Sequence, residues 1–149
     1  MGIENFPEIL KELVVENLAN LTDVSEELEC GESTLSRYAT GRALPTLEMT
    51  VRLADYFGVT CDYLLGLDAE NAYDSFSPCP PFGKRFKEVL TYYKVSRYRL
   101  VRTTGIAESV MRYWTQGKTT PSIANVVKIA EALGCTVDFL IGRCSQKIE

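Results

Sequence analysis

Histidine is absent from the chain, which removes the commonest metal ligand and the usual general base at neutral pH. Cysteine is present but unpaired by spacing: Cys30, Cys61, Cys79, Cys135 and Cys144 form no Cys-x-x-Cys motif and are odd in number. A zinc site would need thiols that this spacing scatters, so neither a metal nor another cofactor is expected. Reduced thiols of a cytoplasmic protein are the simplest reading. The sharper alternative is a redox sensor at Cys61, at a predicted helix N-terminus that would favour the thiolate. No apolar run reaches the roughly twenty residues of a membrane span, and no charged-then-apolar leader is visible; a soluble, unexported protein with no membrane partner is expected. Also missing are a phosphate-binding glycine loop and a pair of carboxylates in an evident cleft. The sequence therefore predicts a non-enzyme. What remains is globular in composition, 46% hydrophobic and 24% charged.

The most informative stretch runs from Ala107 to Pro121. It reads as a short helix stopped by Gly117, a residue suited to the left-handed conformation that ends helices. Pro121 then bars a return to that helix, and Ser122 is placed to cap the next one. Val110, Met111 and Trp114 fall on one face by three-and-four spacing, and Glu108, Ser109, Arg112, Gln116 and Lys118 on the other. Just upstream, Ser96 to Ile106 forms another short helix with a tight turn at Gly105. Two short helices joined by a glycine-containing turn make a helix-turn-helix, whose second helix can enter a major groove.

This stretch resembles the lambda-repressor/Cro-like (XRE-type) helix-turn-helix domains. The resemblance continues through Pro121 to Gly134 and Thr136 to Gly142, a run of proline, helix, glycine and a short capped helix ending Leu-Ile-Gly. It implies a compact all-α domain that binds double-stranded DNA.

Displaced by 76 positions, the chain lies on itself without a gap: Phe6 falls on Phe82, Lys11 on Lys87, Gly41 on Gly117 and Pro45 on Pro121. Gly58 then matches Gly134, Thr60 matches Thr136, Asp62 matches Asp138 and Gly66 matches Gly142. Because the punctuation repeats, the shared feature is a backbone plan. The expected fold is all-α, two five-helix lambda-repressor-like domains in tandem: residues 1–67, a linker at 68–81, and residues 82–149. The linker contains Asp68, Asn71, Asp74, Ser75, Ser77 and three prolines and lacks apolar periodicity.

In the first copy a helix from Phe6 to Leu18 should bury Phe6, Ile9, Leu10, Leu13 and Leu18. Asn20 caps a second helix ending near Leu28, and a turn at Cys30-Gly31 leads to a third from Glu32 to Ala39, with Leu35 and Tyr38 inward. Thr46 caps a fourth helix burying Leu47, Val51, Ala54 and Phe57, and Thr60 caps a fifth, where Tyr63, Leu64 and Leu65 close the core. Domains of about sixty-five residues bury only about 60% of their unfolded surface, so burial between copies or between chains is expected.

Charge separates the copies. Residues 1–76 carry fifteen Asp and Glu against four Lys and Arg, a net of −11, whereas residues 77–149 carry five against twelve, a net of +7. Phosphate contacts supply most non-specific DNA affinity, so the second copy is the expected DNA binder. By the resemblance, Glu108, Ser109, Arg112 and Tyr113 reach base edges, with Gln116 beside them. Arginine pairs bidentately with guanine and glutamate accepts from cytosine N4. Arg99 and Arg102 follow Arg97 on the same helix as further DNA-binding candidates, and Arg97, Lys118 and Thr119 position the protein on phosphates. The first copy has Leu21 at the position of Arg97 and Glu26 at that of Arg102. If it reads DNA, Ser33, Thr34, Ser36, Arg37 and Arg42 are the residues that do so.

The leading function is thus a sequence-specific transcriptional regulator. The alternative is a protein-interaction or autoinhibitory module in which the acidic copy contacts a basic partner or the basic copy. A homodimer, or two copies gripping two half-sites about 34 Å apart, suits the tandem design.

Overall fold

The computed structural model describes residues 3–68 and 76–143, and these residues form helices and turns with no strand. They divide into two compact units, Met1–Asp74 and Ser75–Glu149. Unit 1 comprises α1 (Phe6–Glu16), α2 (Leu21–Glu27), α3 (Glu32–Ala39), α4 (Leu47–Phe57) and α5 (Cys61–Leu64). Unit 2 repeats the order with α6 (Phe82–Tyr93), α7 (Arg97–Thr104), α8 (Glu108–Thr115), α9 (Ile123–Leu133) and α10 (Val137–Ile141).

Local chemistry accounts for six of the helix starts. In unit 1 the side chains of Asn20, Thr46 and Thr60 accept from the backbone N–H groups of Asp23, Met49 and Tyr63 at 2.9, 3.1 and 2.9 Å. Ser96, Ser122 and Thr136 do the same in unit 2 for Arg99, Asn125 and Phe139, at 3.1, 3.2 and 3.0 Å. Each such cap stabilises its helix by about 1 kcal/mol, and together they set the boundaries before any packing is considered. The stop after α8 is also as expected, with Gly117 left-handed at φ 73°.

Packing follows the repeat. In unit 1, α3 lies against α1 and α2; in unit 2, α8 lies against α6 and α7. Trp114 anchors α8, its ring edge-on to Phe82 and Phe86 at centroid distances of 5.9 and 5.8 Å. Tyr38 holds the equivalent place on α3, 6.2 Å from Phe6. Burial raises the Tyr38 hydroxyl pKa, as does Cys30, and Arg37 opposes them.

Several expected faces are corrected. Leu18 is 95% exposed, because α1 ends at Glu16 and Leu18 turns left-handed at φ 53°, out of the helical register that would have carried it inward. Val14 takes its place in the core, and Ile9 is only half-buried. On α4 the buried stripe is Thr50, Leu53, Ala54 and Phe57, and Leu47 and Val51 lie half-buried on its edge. Leu64 and Leu65 do close the unit 1 core, with Tyr63 half-buried beside them. Cys61 is fully buried, which withholds its thiol from the solvent access a sensor requires.

Unit 2 is closed at its far end by a buried ion pair. Arg143 Nη1 donates to Asp138 Oδ1 at 2.9 Å, both side chains are fully buried, and the guanidinium lies 3.7 Å from the Phe76 ring centroid. The Arg143 carbonyl accepts from Ser77 N–H at 2.7 Å. Phe76 and Ser77, within the stretch read as a linker, are thereby tied to unit 2; Asn71, Asp74 and Ser75 of that stretch lie outside the described residues, as does Cys144.

Candidate nucleic-acid interface

The turn between α7 and α8 is built from Thr104, Gly105 and Ile106. Thr104 Oγ1 donates to the Leu100 carbonyl at 2.6 Å and accepts from Ile106 N–H at 3.2 Å, and Gly105 takes φ 78°. Ile106 is buried, which fastens the turn to the core and sets α8 across α7. In unit 1 the corresponding left-handed residue is Glu29, at φ 53°, and Gly31 is extended and serves as N-cap of α3. The glycine of the expected Cys30-Gly31 turn therefore comes two residues too late, and a glutamate occupies the conformation that glycine holds in unit 2.

Buried Met111 and Trp114 fix the rotation of α8 and turn its other side outward. Ser109, Arg112, Tyr113, Gln116, Lys118 and Thr119 are exposed, as are Arg99 and Arg102 on α7. Arg97 and Glu108, at the first positions of α7 and α8, are partly exposed and meet across the turn. Arg97 Nη1 lies 3.5 Å from Glu108 Oε1, and Arg112 Nη1 donates to Glu108 Oε2 at 3.1 Å. One carboxylate thus engages a different arginine with each oxygen. Lys118 Nζ stands 5.5 Å from the Tyr113 ring centroid, and the Arg102 guanidinium carbon 6.0 Å from that of Tyr98. Cations paired with aromatic faces keep extended, oriented stems at an exposed surface.

Two residues outside the sequence-based set are exposed on these two helices. Val110 is 37% exposed, since Met111 and Trp114 define the buried stripe and Val110 sits at its margin. The four-residue spacing from Val110 to Trp114 suggested the opposite. Tyr98, 69% exposed on α7, had no periodicity to mark it; only its place between Arg97 and Arg99 could have. An apolar group and a tyrosine beside arginines suit thymine methyls and sugar-phosphate edges.

Other cations of unit 2 serve the fold. Arg85 donates through Nε and Nη2 to the Phe139 carbonyl at 3.1 and 2.7 Å and lies 4.8 Å from its ring centroid, and Arg143 is buried against Asp138. The net charge of the segment thus overstates the basic surface, and the local arrangement matters more.

In unit 1 the same surface has a different character. Ser33, Ser36, Arg37 and Arg42 are exposed and Thr34 is half-buried. Where α7 has Arg97, Arg99 and Arg102, α2 has Leu21, Asp23 and Glu26. Arg52 donates to the Leu28 carbonyl at the C-terminal end of α2, and Lys11 pairs with Glu8 at 3.0 Å on α1. Glu26, Glu27, Glu29 and Glu32 are all exposed.

Residues 10–64 match the family described as a helix-turn-helix domain, and residues 85–143 match that described as a Cro/C1-type HTH DNA-binding domain. No curated protein and no solved structure matches the chain significantly. No helix among the described residues is long and apolar enough to cross a membrane. The first match runs from within α1 to the end of α5 and the second from within α6 past the end of α10, so each contains a helix-turn-helix. The chain belongs to the helix-turn-helix proteins of the lambda-repressor/Cro (XRE) type and carries two helix-turn-helix domains in tandem, the second matching the Cro/C1-type DNA-binding domain.

Proposed function

We propose that the protein is a transcriptional regulator that binds specific sites in double-stranded DNA chiefly through unit 2. The observation that carries this reading is the contrast at equivalent positions: Arg97, Arg99 and Arg102 on α7 against Leu21, Asp23 and Glu26 on α2. Arg97 of α7 is joined through Glu108 to Arg112 of α8, so cations of both helices stand at a helix sized for a major groove. Arg112, Ser109 and Tyr113 address base edges, and Arg97, Arg99, Arg102, Lys118 and Thr119 address the backbone. Gln116 ends α8 beside them. Unit 1 retains the same scaffold with an acidic surface, which favours a role in dimerisation or in contact with a basic partner over a second reading head.

The test compares residues 75–149, residues 1–74 and the full chain on duplex DNA across a salt series. Residues 75–149 should bind with a steep salt dependence, and residues 1–74 should fail to bind even at low salt, where screening is weakest. Comparable binding by residues 1–74 would sink the division of labour. A full chain that binds more tightly than residues 75–149 supports dimerisation through unit 1, because linked heads gain avidity. The reverse order supports autoinhibition by the acidic unit.

A further inference from the structure

We infer that Glu108 is a positioning and specificity-setting residue of the α8 reading surface, and that it does not itself read a base. The inference rests on DNA reading by unit 2 and assigns how that surface is organised. A glutamate at the start of a recognition helix is chemically able to accept from cytosine N4. Here both oxygens are engaged, Oε1 with Arg97 at 3.5 Å and Oε2 with Arg112 at 3.1 Å. Turning the carboxylate to a base would strip a charged partner from each arginine. Leaving it in place holds two guanidiniums from two helices at a set separation, each still partly exposed. Each guanidinium has five N–H donors in a rigid fork, so pairing through one nitrogen leaves edges for DNA.

The three side chains are 37–47% exposed, and exposed ion pairs contribute little to stability. Geometry at the surface, more than folding, is therefore what the bridge supplies. It also links the two roles. Arg97 opens α7, at the place suited to phosphate, and Arg112 lies one turn along α8 from Glu108, on the side suited to bases. A shared carboxylate sets the register of the base contact relative to the phosphate contact.

Unit 1 shows what the residue does without its partners. Glu32 occupies the same place at the start of α3, but the positions of Arg97 and Arg112 hold Leu21 and Ser36. A carboxylate at a helix N-terminus is favoured by the helix dipole, but here it would face DNA without the flanking arginines that neutralise it in unit 2. The same glutamate thus organises one reading surface and opposes DNA on the other.

The experiment uses the full chain and duplexes selected from a randomised library, and measures discrimination at each base pair as a ratio of dissociation constants. Arg112→Ala first locates the base pair that Arg112 reads. Glu108→Ala and Glu108→Gln should then lower discrimination at that same base pair by about ten-fold, within the range a bidentate contact supports. Affinity for random duplex should be unchanged or higher, since a negative charge has been removed from the DNA face. The double variant Glu108→Ala/Arg112→Ala should lose no more discrimination than Arg112→Ala alone. Loss of preference at a different base pair, additive with Arg112→Ala, makes Glu108 a base reader and overturns the inference, as does unchanged discrimination. If the native chain itself shows no preference among duplexes, the DNA reading fails and the inference fails with it. Trp114 fluorescence checks that each variant is folded; Glu108→Gln, which preserves shape, supplies the answer if Glu108→Ala does not fold.

Discussion

The carbonyl oxygen of Trp114 occupies the space that a Cβ on Gly83 would need. Gly83 lies in the first turn of α6, so this close approach presses α6 against the end of α8, the helix that carries Arg112 and Tyr113. Gly83→Ala should therefore destabilise unit 2 by about 1–3 kcal/mol through overpacking and shift the end of α8 outward. Denaturation followed by Trp114 fluorescence checks the first effect, and weaker binding to a selected duplex checks the second. An unchanged midpoint would mean that the two helices separate without cost.

Glu29 offers the opposite opportunity. It holds a left-handed conformation at φ 53° in the turn where unit 2 uses Gly105. Non-glycine residues pay roughly 1 kcal/mol there, so Glu29→Gly should stabilise unit 1 by about 0.5–1 kcal/mol. Glu29→Gln, which removes the charge and keeps the side chain, should not. The chain has one tryptophan, in unit 2, so the gain should show in far-UV circular dichroism and leave the fluorescence transition in place. Equal stabilisation by both variants would assign the effect to charge.

Arg143→Ala leaves Asp138 as a buried carboxylate without its guanidinium and removes the group stacked under Phe76. Breaking a buried pair by removing one member costs about 3–5 kcal/mol. A domain of this size has little stability in reserve, so unit 2 should unfold well below the native midpoint by Trp114 fluorescence. A loss under about 1 kcal/mol would show that water reaches Asp138 once the arginine is gone.

Arg112→Ala and Lys118→Ala separate reading from positioning. Arg112→Ala should cost about 1–3 kcal/mol on a selected site and relax preference at one base pair. Lys118→Ala should weaken all duplexes alike and reduce the salt slope by about one. Lys118 stands over the Tyr113 ring, so Tyr113→Ala should reproduce part of the Lys118 effect by releasing its stem. Quantitative binding at several salt concentrations decides each case. A base-specific loss in Lys118→Ala would reverse the two roles.

The helix starts with side-chain caps, the stop at Gly117 and the helix-turn-helix in unit 2 were legible in the sequence because each depends on residues close along the chain, and the repeat was legible because its punctuation recurs at one fixed displacement. Ser96, Ser122 and Thr136 cap helices through bonds to residues three places on, and such short-range chemistry can be read directly along the chain. The charge contrast between the halves was equally visible, being a count. Other features depended on how helices pack. Val110 belongs to the outer surface because Met111 and Trp114 together set the rotation of α8, and Leu18 left the core because α1 ended before it. The turn residue of unit 1 proved to be Glu29, since the tertiary fold overrides the cost of a left-handed glutamate. The engagement of Glu108 by Arg97, and the burial of Arg143 under Phe76, join residues whose separation along the chain carries no periodic signal. Charges and caps act where they stand in the chain, but a shared carboxylate or a missing Cβ acquires meaning only when packing brings a second helix against it.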